Sequence, residues 1–213
     1  CVMETSSHGL FLGRLRGCRF DVPLFTNLSP EHLDFHKDME HYFQAKRLLF
    51  SRYARPGFEG AANADDTYGR RLLADFPENM RGFALASDTF ARVTEFRTGL
   101  EGTSMTVSMR GFPDLPLQSP LVGNFNVWNV LAAVTALRGR VEDEAVVCGV
   151  AAVPQVPGRL ERHSLPNGAC CFIDFAHTPE ALKNVLAAAR ARSRGWAGLR
   201  PADAEWLRSP RSL

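Results

Sequence analysis

The chain has 213 residues, 45% of them hydrophobic and 23% charged, which predicts a folded protein with room for one domain plus part of a second and excludes a disordered chain. Its formal net charge of +2 is too small to make nucleic acid or a membrane surface the main partner. No apolar run approaches the roughly 20 residues that span a bilayer, and the N-terminus lacks the basic-then-apolar order of a signal peptide.

In chain order, Cys1 to Glu4 reads as the end of a strand emptying into the polar turn Thr5-Ser6-Ser7-His8-Gly9. With no lead-in before Cys1, the chain is expected to start inside a larger protein. Phe20 to Phe25 is a second short apolar run, again ending in polar residues, Thr26-Asn27. Two strands ending this way suggest the carboxyl edge of a parallel sheet, where open α/β folds place their ligands. Met39 to Phe50 carries apolar residues at near-helical spacing and predicts an amphipathic helix bearing Lys46. Arg52 to Ala64, rich in Gly, Pro and Ala, reads as a loop.

Ala84 to Met109 alternates, as in Thr103-Ser104-Met105-Thr106-Val107-Ser108-Met109, and predicts antiparallel hairpin structure. Asn126 to Leu137 predicts an apolar helix buried over most of its surface. Pro154, Pro157 and Gly158 mark a boundary near Val153 to Arg159. Beyond it, Ala169 to Phe175 reads as a buried strand, Thr178-Pro179 as a helix start and Glu180 to Arg190 as the helix, together the opening of a new α/β unit. From Ala191 the Arg, Gly, Ala and Pro mixture loses all periodicity, as a shifted reading frame in GC-rich DNA would, so 191–213 reads as irregular or foreign. The cysteines, Cys1, Cys18, Cys148, Cys170 and Cys171, are odd in number and lack C-x-x-C spacing, which fits a reducing cytoplasm better than a disulfide framework or a zinc knuckle.

Three residues stand out for chemistry: Glu4, His32 and Lys46. A strand-end carboxylate such as Glu4 holds magnesium in many nucleotide enzymes, and equally well caps a turn. His32 and His36, four apart, resemble a zinc pair, but the metalloprotease arrangement needs a glutamate straight after the first histidine, where this chain has Leu33. Lys46 is the lone lysine of its helix, and a solvated lysine is the ordinary outcome.

The blocks Glu4-Thr5-Ser6-Ser7-His8-Gly9-Leu10, Phe25-Thr26-Asn27-Leu28-Ser29-Pro30-Glu31-His32-Leu33-Asp34-Phe35-His36 and Ala45-Lys46 resemble, in order and spacing, the E-V-S-S-H-x-L, F-T-N-L-S-x-D-H-L-D-Y-H and A-K blocks of the Mur ligase family. Further blocks agree downstream: Asn63-Ala64-Asp65-Asp66, Gly123-Asn124-Phe125-Asn126-Val127-Trp128-Asn129, Val156-Pro157-Gly158-Arg159 and Ile173-Asp174-Phe175-Ala176-His177-Thr178-Pro179. The resemblance covers roughly residues 1 to 190. The Ser6-Ser7-His8-Gly9-Leu10 turn is similar to that of the family member that adds the third residue to UDP-N-acetylmuramoyl-L-alanyl-D-glutamate.

The resemblance implies an α/β fold, a central ATP-binding domain with a mostly parallel sheet flanked by helices over residues 1–156, followed over 157–190 by the start of a Rossmann-like C-terminal domain. It implies a monomeric ligase using ATP and Mg2+, with a UDP-muramoyl-dipeptide and an amino acid as substrates and an acyl phosphate as intermediate. Glu4, His32 and a carbamylated Lys46 would hold magnesium, Asn126 and Asn129 would flank adenine, and Arg159 and Asp174 would contact phosphate and ribose. Ser6 and Arg14 match positions that contact the UDP-muramoyl substrate, whereas Leu12 stands where the family usually has glutamine.

A phosphate loop of the form T-G-T-N-G-K-T does not occur among the 213 residues, and no lysine follows a glycine. The uridine-binding domain and most of the C-terminal domain are likewise expected to lie outside the chain. The isolated chain is therefore expected not to turn over. A reading from another class is a non-catalytic domain, the product of a decayed gene, that binds nucleotide weakly or only offers an interaction surface.

Overall fold

A computed structural model describes residues 1–99, 101–177, 181–183, 185 and 186. The chain divides into two compact units, Cys1–Val156 and a second that begins at Pro157. No described helix is long and apolar enough to cross a membrane.

The first unit is built on a six-stranded sheet in the order β1-β2-β3-β4-β5-β6. Strands β1 (Leu24–Phe25), β2 (Gly60–Asn63), β3 (Met80–Ala84) and β4 (Ala91–Gly99) pair in parallel, and β5 (Gly102–Met109) and β6 (Leu115–Ser119) continue the sheet antiparallel. Parallel neighbours need crossover connections. Helix α3 (Met39–Leu48), extended by a π-helical turn at Leu49–Tyr53, supplies the first, and α4 (Thr67–Asp75) the second. Two short helices, α1 (Ser7–Phe11) and α2 (Leu33–His36), complete the α3 side of the sheet. Across the sheet lies α5 (Asn124–Leu137), packed on β2, β3, β4 and β5, with α6 (Asp143–Ala152) beside it against β6.

Alternation along β2 explains the layering. Ala61 belongs to the core under α5, with Phe83, Val107 and Leu131, whereas its neighbour Ala62 belongs to the opposite core, with Leu10, Phe43 and Leu72. A central strand buried on both faces shows no polar alternation, and here it is also built from small residues. That is why Arg52 to Ala64 reads as a loop in the sequence, an expectation the structure corrects: β2 lies inside it, buried at every position. The small side chains are required by close approach. A methyl on Gly60 would lie 2.6 Å from the Met80 sulfur and 2.8 Å from the Pro23 carbonyl oxygen.

Three other expectations change. Residues 1–6 form no strand, and Cys1 to Glu4 are exposed, because no ladder hydrogen bonds join them to the sheet. The run from Phe20 pairs only at Leu24–Phe25, with Phe20 bridging Ala54 on its own. In the second unit, Ala169 to Phe175 is not a buried strand. Its β8 (Cys170–Ile173) pairs antiparallel with β7 (Glu161–Ser164) alone, so alternate side chains face solvent and Ile173 is 47% exposed. The expected helix is helical at its described residues 181–183, 185 and 186, while Thr178, Pro179, Glu180 and the 191–213 tail lie outside the described residues.

The hairpin expected within Ala84 to Met109 is β4–β5, and the apolar helix is α5, starting two residues earlier than its periodicity indicates. Residues such as Val127, Leu131 and Val134 are completely buried; each contributes about 1.5–3 kcal/mol. Leu137, at its C-terminal end, is 46% exposed.

Candidate functional site

The candidate site forms where the polar segment before α1, the segment after β1 and helix α3 converge. Lys46 lies on the third turn of α3, where its four-carbon stem is half-buried and Nζ donates to the Thr5 carbonyl oxygen at 3.2 Å. Burial pushes the ammonium pKa below its usual value, opposed by the carboxylates of Glu4 and Glu31. The lysine is thus held against Thr5, the residue following Glu4.

His32 precedes α2 with φ 56, a left-handed conformation uncommon outside glycine and asparagine. Its exposed ring meets His8 edge-on at 5.1 Å and Tyr42 at 6.0 Å. Tyr42 lies one turn before Lys46 on α3, which ties His32 to the same helix. Beneath them, His36 is 3% exposed, stacks on Tyr42 at 4.9 Å and shares a 2.8 Å hydrogen bond with the buried Ser7 hydroxyl. Burial, then the nearby His8 and His32, lower its pKa and favour the neutral ring. Ser6 caps α1 by accepting from the Gly9 N–H at 3.1 Å, and Arg14 is exposed after the helix.

Among the described residues, no three His, Cys, Asp or Glu side chains gather into a group able to hold a metal ion. A carbamate on Lys46 would add an oxygen donor at this place, which an ammonium cannot.

The other residues expected to act occupy two places. On α5, the buried Asn126 donates to the Val122 carbonyl oxygen at 2.8 Å and accepts from Asn129 at 3.1 Å. Asn129 is exposed and borders a largely apolar cavity of about 350 Å³ between α5 and α6. In the second unit, the Asp174 carboxylate accepts from the Leu160 and Ala176 N–H groups, both at 2.7 Å, and the Arg159 guanidinium lies 5.9 Å from the Phe175 ring centre.

Sequence reasoning assigned no role to Glu31, Tyr42 or Asp65. Asp65 leaves the carboxyl end of β2, and its carboxylate accepts from the N–H groups of Leu85 (2.7 Å), Ala86 (3.3 Å) and Ser87 (3.1 Å), the Ser87 hydroxyl (2.9 Å) and the Trp128 indole (3.4 Å). Burial opposes its ionisation, but these donors outweigh it and set the pKa below the ordinary carboxylate value. The block Asn63-Ala64-Asp65-Asp66 was the available signal, hidden because its strand reads as a loop.

Comparison with known proteins agrees with this architecture. A sequence profile described as the Mur ligase middle domain matches residues 1–137. The UDP-N-acetylmuramoyl-L-alanyl-D-glutamate--2,6-diaminopimelate ligase of Streptomyces avermitilis is 41% identical over 196 residues, covering 91% of this chain and 38% of that protein. The ligase of the same name from Gloeobacter violaceus is 43% identical over 198 residues, covering 91% and 40%. The chain thus spans well under half the length of the curated relatives it matches. A solved structure of a ligase of that name superposes with a TM-score of 0.74 at 28% identity, over 90% of this chain and 40% of that one. The UDP-N-acetylmuramate-alanine ligase of Thermotoga maritima shares the fold, with a TM-score of 0.66 at 21% identity over 80% of this chain and 38% of that one. The profile match, over well more than half of the chain, shows that the chain belongs to the Mur ligase family.

Proposed function

We propose that this chain is the nucleotide-handling middle part of a cytoplasmic ligase that joins diaminopimelate, as the third residue of the peptide, to UDP-N-acetylmuramoyl-L-alanyl-D-glutamate. The observation that carries the proposal is Lys46, half-buried against Thr5 with the carboxylates of Glu4 and Glu31 acting on it. Diaminopimelate itself rests on the activity named for the relatives.

The overall chemistry transfers the γ-phosphoryl group of ATP to the substrate carboxylate, giving an acyl phosphate that the incoming amine attacks with release of phosphate. Such a reaction depends on positioning and on neutralising phosphate charge. Magnesium, when bound, supplies that neutralisation. Its preference for oxygen fits Glu4 and a Lys46 carbamate, with His32 as the imidazole donor. The depressed pKa of Lys46 favours the neutral amine. The ammonium first loses one proton; the neutral amine then adds through Nζ to the carbon of carbon dioxide and gives up a second, so a cation becomes an anion. Ser6 and Arg14, at either end of α1, would bind the UDP-muramoyl substrate; Asn126 and Asn129 would flank adenine, and Arg159 and Asp174 would serve phosphate and ribose.

The test is a chimera in which residues 1–177 replace the matching segment of the Streptomyces avermitilis ligase. A folded chimera should release phosphate from ATP only with both UDP-N-acetylmuramoyl-L-alanyl-D-glutamate and diaminopimelate present. Folded protein with no such release overturns the proposal in favour of a non-catalytic domain.

A further inference from the structure

Asp65 is a buried-edge carboxylate that the chemistry above does not use, yet it collects more donors than any other side chain described around the sheet edge. They come from two separate segments, the turn after β3 at Leu85–Ser87 and Trp128 on α5, so the carboxylate joins both to the end of β2. A carboxylate that only caps a turn needs local donors. The partners of Asp65 lie 20 to 63 residues away in sequence.

The link to Trp128 falls at a telling place. Helix α5 begins at Gly123, which has no side chain to cap it, so the cap does little to orient its first turns. Trp128 sits between Asn126 and Asn129, and these two are hydrogen-bonded to each other. Asn126 is tied to the Val122 carbonyl oxygen at 2.8 Å, and the indole bond to Asp65 adds a second tie, between this turn of the helix and the carboxyl edge of β2 and β3.

We propose that Asp65 is the positioning residue for the nucleotide end of the site: through Trp128 its carboxylate locks α5 to the sheet edge and fixes the Asn126–Asn129 pair. This rests on the nucleotide role proposed for that pair. Its carboxylate is occupied by protein donors, and its effect is carried by the helix.

The experiment uses the 15N-labelled 213-residue chain and reads three signals by NMR: the Trp128 indole N–H, the side-chain amides of Asn126 and Asn129, and their response to ATP with magnesium. In Asp65→Ala the indole N–H loses its protection from exchange, both amide signals move, and ATP binds about tenfold more weakly, the effect of losing a charge-assisted hydrogen bond. Asp65→Asn keeps one acceptor oxygen and restores affinity to within about threefold. Trp128→Phe, which leaves the Leu85–Ser87 bonds intact, reproduces the loss seen in Asp65→Ala. Unmoved amide signals in folded Asp65→Ala overturn the proposal. Should that variant fail to fold, unmoved amides in Trp128→Phe overturn it instead. Failure of ATP to shift the wild-type amides sinks the nucleotide role alone, because the amide positions without ATP still report whether Asp65 sets them.

Discussion

Gly69 offers a direct test of how the strand edge is built. It lies in the first turn of α4, its N–H donating to the Asp66 carboxylate at 2.9 Å, and its Cα presses on the end of β2. A methyl added there would sit 1.9 Å from the Asn63 carbonyl oxygen and 2.9 Å from the Asn63 carbonyl carbon. Both atoms are backbone of the central strand, so no side chain can swing away, and helix and strand must separate by more than an ångström. Overpacking of this kind costs about 3 kcal/mol, at the upper end of its usual range. Alanine's better helix propensity offsets about 1 kcal/mol of that. Gly69→Ala should therefore lose about 2 kcal/mol, a fall of about 4–8 °C in Tm for a protein of this size. The assay is a far-UV circular dichroism melt, paired with urea unfolding. Gly149→Ala is the control: nothing lies within 4 Å of its added methyl inside α6, so it should stabilise by about 0.5–1 kcal/mol. An unchanged or raised Tm for Gly69→Ala, with Gly149→Ala behaving as stated, would refute the close approach of α4 to β2.

Two further outcomes follow from the charges. With 13C-bicarbonate, a carbamate carbon signal should appear on the wild-type chain and vanish in Lys46→Arg, whose guanidinium stays protonated; a signal that survives the substitution assigns the carbamate elsewhere. Asp65 has a folded pKa below its unfolded value, so its contribution to stability is fully present above the ordinary carboxylate pKa and is lost as pH falls through the lowered one. Urea midpoints measured down the acid limb should fall less steeply for Asp65→Asn than for the wild type, and parallel curves would show that Asp65 is not stabilised as an anion.

Much of the site was legible because its residues sit in short, ordered blocks. Ser6, His32 and Lys46 could be named because they fall in ordered blocks that resemble those of the Mur ligase family, and the periodicity of Met39 to Phe50 and Asn126 to Leu137 predicted α3 and α5. The central strand was not legible, since Gly60, Ala61 and Ala62 carry neither β-branched side chains nor alternation. Glu31 escaped notice because its relation to Lys46 is a matter of distance between segments, not of sequence pattern.

By itself the sequence determined local matters: that Met39 to Phe50 and Asn126 to Leu137 are helical, and which residue types gather in a family pattern; α4 and α6 were not read from it. The tertiary structure alone decided that Ala61 and Ala62 face opposite cores, that Lys46 reaches the carbonyl of Thr5, and that Asp65 ties β2 to Trp128 across 63 residues. The physical reason is that burial, pKa and hydrogen-bond partnership depend on which distant segments meet, and that is set by packing of the whole sheet and its helices.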